Sequence, residues 1–83
     1  MNYRFRPSAD KQFGKLDPQI QSMIVRKLAF FVSTPNPLSF AKHLKNLHSG
    51  QYRFRIGDYR VIFDMQENTI VILSVGNRRD IYK

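Results

Sequence analysis

The sequence predicts an α+β fold: an N-terminal strand, two helices, then a three-stranded antiparallel meander, with all strands in one sheet and the helices on one face. Three observations predict it. Residues 2–6 alternate Tyr3 and Phe5 with Arg4 and Arg6, the two-residue period of a strand with one apolar and one solvated face. Ile20, Met23, Ile24, Leu28 and Phe31 recur at spacings of three and four, the stripe of an amphipathic helix. The second half divides into apolar-rich runs at 51–56, 59–65 and 69–75, separated by Gly57-Asp58 and by Gln66-Glu67-Asn68.

Each element has its own signals. Pro7 closes the first strand, and Ser8 is placed to cap a short helix with Ala9, Gln12, Phe13 and Leu16 on one side. Gly14 inside that helix costs about 1 kcal/mol relative to Ala. Asp17-Pro18 starts the longer helix, because Asp accepts from the first free amides and Pro at the first helical position sacrifices no hydrogen bond. Ser33-Thr34-Pro35-Asn36-Pro37 ends it. Residues 38–47 read as a connector of mixed character, with Leu38, Phe40, Ala41 and Leu44 able to form a helical turn before the chain extends. The run 69–75 is apolar at nearly every position and so suits a central strand buried on both faces. Tyr3 and Phe5 supply a further neighbour.

The hairpin between the first two runs is the most informative feature. Gly57 leading a two-residue loop favours a type II′ turn, which pairs Ile56 with Tyr59, Arg55 with Arg60, Phe54 with Val61, Arg53 with Ile62 and Tyr52 with Phe63. Tyr52, Phe54, Ile56, Tyr59, Val61 and Phe63 then share a core face, while Arg53, Arg55 and Arg60 gather beside Ile62 on the other. Single arginines on the wet side of a sheet are ordinary. Two placed directly across from each other are unfavourable until a phosphate occupies the gap. A slip of one residue would scatter the group over both faces.

Composition bounds the function. The 83 residues make one domain, 1–83, with 42% hydrophobic residues, enough for one core and too apolar for disorder. Fourteen Lys and Arg against six Asp and Glu give +8, with a pI near 10.3, which implies a polyanionic partner. Residues 42–60 hold five basic residues against Asp58 alone, 61–77 are net negative through Asp64 and Glu67, and the last six residues return to positive. With no cysteine, disulfides, thiolate metal sites and cysteine nucleophiles are excluded, and a reducing cytoplasm fits. The N-terminus carries Arg4 and Arg6 and no signal-peptide run, and no apolar stretch approaches the roughly 20 residues of a membrane span, so no membrane role is expected. His43 and His48 have no third ligand nearby, so neither a metal nor another cofactor is expected. No paired carboxylates, Ser-centred nucleophile motif or glycine-rich phosphate loop occurs.

The closing segment, residues 77–83, is the second basic cluster. Ile81 and Tyr82 can cap the core edge, and Arg79 with Asp80 can form a surface pair of small energetic value; for Tyr82 a structural and a functional role are evenly matched from spacing alone. The run 50–63, Gly-Gln-Tyr-Arg-Phe-Arg-Ile-Gly-Asp-Tyr-Arg-Val-Ile-Phe, followed by 74–83, Ser-Val-Gly-Asn-Arg-Arg-Asp-Ile-Tyr-Lys, resembles the RelE family of the RelE/ParE superfamily of bacterial type II toxins. With the preceding strand and helix pair the resemblance spans essentially the whole chain. It implies a RelE-like fold and a cytoplasmic toxin neutralised by a cognate antitoxin, in a heterotetramer or larger complex. It also implies metal-independent cleavage of mRNA in the ribosomal A site.

Carried over residue by residue, the resemblance makes Arg60, Arg78 and Tyr82 the catalytic candidates. Arg53 and Arg55, with Arg79 and Lys83 of the tail, are the RNA-binding candidates. Asn77 stands where some members carry His or Lys. The chemistry is coherent on its own terms: metal-free cleavage needs a base for the 2′-hydroxyl, positive charge for the phosphorane and a proton for the departing oxygen. A free tyrosine ionises at about 10, and neighbouring guanidinium groups favour its phenolate. Two other functions stand beside this one: a ParE-like inhibitor of DNA gyrase, against which Arg60, Arg78 and Tyr82 together argue because binding gyrase gives no reason for a basic cleft with a tyrosine, and a noncatalytic basic module that binds nucleic acid through its phosphates, for which the +8 charge is sufficient.

Overall fold

A computed structural model describes residues 1–45 and 50–81. The chain runs β1 (Asn2–Phe5), α1 (Pro7–Gly14), α2 (Pro18–Ser33), a 3-10 turn (Pro37–Phe40), β2 (Ala41–His43), β3 (Tyr52–Ile56), β4 (Tyr59–Gln66) and β5 (Thr69–Asn77). The strands form one sheet in the order β1-β5-β4-β3-β2. β1 runs parallel to β5, and the other pairs are antiparallel. β1 and β5 run the same way because the helix pair returns the chain to the end of the sheet where β1 finished, from which β2, β3, β4 and β5 alternate in direction. No helix among the described residues is long and apolar enough to cross a membrane.

The predicted meander is present as β3-β4-β5, and the described part of the connector, residues 38–45, adds to it. Their first part is the 3-10 turn, and Ala41–His43 pairs with β3 as an edge strand, Ala41 opposite Phe54 and His43 opposite Tyr52. His48 lies outside the described residues. The run at 69–75 is flanked on both sides as expected, but the middle of the sheet is β4. Two details of α1 also differ. The helix begins at Pro7 with Arg6 at the cap position, so Ser8 is already inside it, and Gly14 is its last residue, where the helical penalty is small.

Both helices cover one face. Ala9 of α1 and Ile24, Leu28 and Phe31 of α2 form a single buried cluster with Phe54, Ile56, Val61, Phe63, Ile70, Ile72 and Val75 of the sheet. α2 starts as predicted, with the Asp17 carboxylate accepting from Gln19 N–H at 2.9 Å and Pro18 in the first turn. A chain of rings ties helix to sheet: Phe31 stacks on Phe54 at 4.5 Å between centroids, and Phe54 on Phe63 at 4.4 Å. Such ring pairs contribute about 0.5–1.5 kcal/mol each beyond the area they bury.

The helix-free face carries the consequences for function. A register shift between Ile62 and Phe63 leaves Leu73 of β5 without an opposite partner, a bulge that keeps Ile70 and Ile72 before it and Val75 after it on the core side. β1 ends its pairing at Phe5 and Ile72, so α1 flanks β5 beyond that point, and the Gln12 side-chain oxygen accepts from Val75 N–H at 2.9 Å. On the same face Gly50 presses against the sheet. A Cβ there would stand 2.7 Å from Ile62 and 3.1 Å from Leu73, and its φ is +143°. The Asp64 carboxylate accepts from Gln51 N–H at 2.8 Å, and the Gln51 side-chain oxygen accepts from Met65 N–H at 2.9 Å, which fastens this segment over β4. Gly50→Ala should therefore lower stability in urea by about 2 kcal/mol or more, through strain and collision together. Gly14→Ala, with open space around its Cα, should instead be neutral or raise stability by up to about 1 kcal/mol.

Candidate functional site: an arginine face at the hairpin tip

The β3–β4 hairpin adopts the predicted register at all five pairs, from Tyr52–Phe63 to Ile56–Tyr59. Gly57 has φ +59° and Asp58 does not have positive φ, the sign pattern of a type II′ turn. Arg53, Arg55 and Arg60 consequently lie on the helix-free face, with Arg55 directly opposite Arg60. β2 adds Lys42 opposite Arg53, a member of this face that the sequence alone did not yield because 38–47 lacked a strand signal. The alternation of Ala41 and His43 around Lys42 was the only available hint.

Depth separates these cations. Arg55 is exposed and Arg53 half-buried, whereas Arg60 is only 7% exposed. The Arg60 Nη1 donates to the carbonyl oxygens of Gly57 at 3.0 Å and Tyr59 at 2.9 Å. The guanidinium thus turns toward the turn backbone, and the carbonyl dipoles offset part of its repulsion with Arg55. Parity gave the face of Arg60 but could not give its burial. Asp64, the acidic residue of this face, is engaged with Gln51 N–H.

The tail reaches the same place. Arg78 N–H donates to the Asp58 carbonyl at 2.8 Å, and Arg78 Nε lies 3.9 Å from the Asp58 carboxylate, both side chains more than half exposed. Asn77 shapes the return: its side-chain oxygen accepts from Arg79 N–H at 3.0 Å, and its carbonyl accepts from Asp80 N–H and Ile81 N–H. The position where some family members carry His or Lys is here a turn cap. Ile81 then stands against Gly76, its Cδ1 3.4 Å from where a Cβ would be, and Gly76 pairs with Arg60. The described chain therefore ends on the arginine face.

Arg55, Arg60 and Arg78 are gathered around the hairpin tip, while Arg53 stands further back along β3 beside Lys42. Arg79 is exposed in the terminal turn. Tyr82 and Lys83 lie outside the described residues. Among the described residues no group of three His, Cys, Asp or Glu side chains is placed to hold a metal ion. Such a concentration of guanidinium groups can bind phosphate bidentately and stabilise charge that develops on it. Because Arg60 serves the turn as well, Arg60→Ala should cost about 2 kcal/mol in urea unfolding, whereas Arg55→Ala should stay within about 0.5 kcal/mol of the parent.

The chain is similar to known proteins in sequence and in fold. The family described as ParE toxin of type II toxin-antitoxin system, parDE, matches residues 3–82. The chain is 35% identical over 82 residues to Toxin RelG of Mycobacterium tuberculosis, covering 96% of this chain and 93% of that one. It superposes on a chain of the toxin-antitoxin complex RelBE2 from the same organism with a TM-score of 0.77, at 32% identity and with 93% and 96% of the two chains covered. The fold also matches the isolated Escherichia coli RelE toxin, with a TM-score of 0.71 at 20% identity over 96% and 88% of the chains. The family match over residues 3–82, the 35% identity over nearly the whole of both chains and the shared fold place the chain in the RelE/ParE superfamily, as a toxin of a type II toxin-antitoxin system.

Proposed function

We propose that this toxin is a ribosome-dependent endoribonuclease that cleaves mRNA in the A site with its own side chains. The observation that carries the reading is the return of the terminal turn across the arginine face, where Ile81 meets Gly76 beside Arg60 and Arg78 is tied to the hairpin tip. Anion-binding groups from two distant parts of the chain thereby meet at one place. In this reading Tyr82 takes the 2′-hydroxyl proton, and that oxygen attacks the adjacent phosphorus to give a 2′,3′-cyclic phosphate as the 5′-oxygen leaves. Arg60 and Arg78 stabilise the phosphorane, Arg53, Arg55, Arg79 and Lys83 hold the RNA backbone, and a guanidinium proton assists the leaving oxygen. The ribosome supplies what so small a protein lacks, an ordered codon.

In a reconstituted translation system Tyr82→Phe should slow cleavage at least 100-fold while ribosome binding stays near that of the parent. Unaltered cleavage would remove the assignment. Naked RNA at moderate salt should be cut poorly, and rapid digestion of it would contradict ribosome dependence. The ParE description of the matched family favours a second reading, inhibition of DNA gyrase. Loss of supercoiling by purified gyrase, without cuts in translated messages, would select it.

A cognate antitoxin belongs to either reading, since RelBE2 was solved as a toxin-antitoxin complex, and the assembly proposed for the pair is a heterotetramer or larger. The outer side of α2 suits an acidic amphipathic segment of such a partner. Val25, Phe30 and Phe40 are 40%, 51% and 43% exposed, Lys27 Nζ lies 6.0 Å from the Phe30 ring centroid, and the helix carries Arg26 and Lys27 with no acidic residue. Replacing Phe30 and Phe40 by Ala together should weaken antitoxin binding more than tenfold in calorimetry without unfolding the toxin. Unchanged affinity would place the partner elsewhere.

A further inference from the structure

β2 brings to the arginine face a cation that takes no part in the chemistry at the hairpin tip. Lys42 stands opposite Arg53 just as Arg55 stands opposite Arg60, so two cross-strand pairs of like charge share the helix-free side of the sheet. Building on the ribonuclease reading, we infer that these pairs hold successive phosphates of one RNA strand, and that Lys42 is a backbone-binding residue that keeps the message in register along β3.

Like charges placed directly opposite each other across two strands destabilise a sheet, and neither pair contains an acid. The fold nevertheless sets the second pair at the next position of β3 that faces the same way. A phosphate between two cations turns their repulsion into charge-assisted hydrogen bonds on both sides. Arg53 and Arg55 stand about 7 Å apart at the rise of an extended strand. In extended single-stranded RNA one sugar with its ester links separates successive phosphates by a similar distance. A strand laid along β3 therefore meets one cation pair with each of two neighbouring phosphates.

Lys42 is placed to take that part. Its side chain is exposed and makes no hydrogen bond or ion pair with the described residues. The cations at the tip are differently engaged, Arg60 with the Gly57 and Tyr59 carbonyls and Arg78 beside Asp58. β2 also ends the sheet, which leaves its flank open to a ligand as large as RNA. A lysine on an edge strand discourages pairing with another sheet as well. That role is indifferent to any particular phosphate, so coupling to a single phosphate separates the two.

The test uses ribosomes programmed with a synthetic message whose A-site codon carries 2′-O-methyl groups, which block cutting. Single phosphates on either side of the cut position are replaced in turn by uncharged methylphosphonate. Toxin affinity is measured for the parent, Lys42→Gln, Lys42→Arg and, as an equal loss of charge on the helix side, Lys11→Gln. One flanking methylphosphonate should weaken the parent about tenfold but Lys42→Gln only about threefold or less, and Lys42→Gln should itself bind the unmodified message about tenfold more weakly than the parent. Lys42→Arg should restore both the affinity and the sensitivity, and Lys11→Gln should keep the parent's sensitivity. Parent-like affinity of Lys42→Gln, parent-like sensitivity of Lys42→Gln to every methylphosphonate, the same loss of sensitivity in Lys11→Gln, or a loss that Lys42→Arg does not repair would overturn the phosphate site. Cutting of the message without methyl groups, scored in parallel, decides the nuclease reading separately: phosphate coupling without cuts would overturn that reading and leave the site at Lys42 in place.

Discussion

The two-residue turn at Gly57-Asp58 is the constraint on which the rest of this molecule depends. By fixing the pairing of β3 with β4 it sends Phe54, Ile56, Val61 and Phe63 into the core and Arg53, Arg55 and Arg60 to the opposite face. The alternation period is two, so no intermediate register exists: any odd shift would bury guanidinium groups among the rings. The turn also anchors the rest of the site. Its Gly57 carbonyl receives Arg60 Nη1, and its Asp58 carbonyl receives Arg78 N–H. One local feature thus assembles a core, a basic face and the docking point of the tail.

β5 links that hairpin to the rest of the fold. It pairs with β4 over its whole length but with β1 only up to Ile72, and the bulge at Leu73 falls where β1 stops. Beyond it the strand needs another partner on its open side, and Gln12 of α1 supplies a hydrogen bond there in place of a strand. Backbone amides left without a ladder are costly when buried, so a polar residue on the packed side of α1 has a clear physical role. The same geometry leaves a polar cleft next to the arginines, since a helix beside a strand edge fills space less evenly than another strand would.

Much of this was legible in the sequence, and the exceptions have physical causes. The hairpin register, the Asp17 cap and the stripe of α2 are local features, dictated by residues within a few positions of one another. β2 is three residues long, too short for an alternation signal, and takes its strand form from β3. The bulge was hidden because Ile70, Val71, Ile72 and Leu73 are all apolar, so no polar residue marks the change of parity. In the site, parity assigned Arg53, Arg55 and Arg60 to one face, yet the burial of Arg60 goes with its fold-back onto the Gly57 and Tyr59 carbonyls, which parity does not show. Gln12 was visible on the packed side of α1, but its partner at Val75 is 63 residues away.

On the proposed function, the hairpin and the tail act as one anion-binding surface. The most direct measurement is an NMR titration of isotope-labelled toxin with a short single-stranded RNA at two salt concentrations. Amide shifts should concentrate at Arg55, Arg60, Gly76 and Arg78 and weaken steeply as salt rises. Shifts confined to α2, or spread evenly over the basic surface with none concentrated at the hairpin tip, would contradict it.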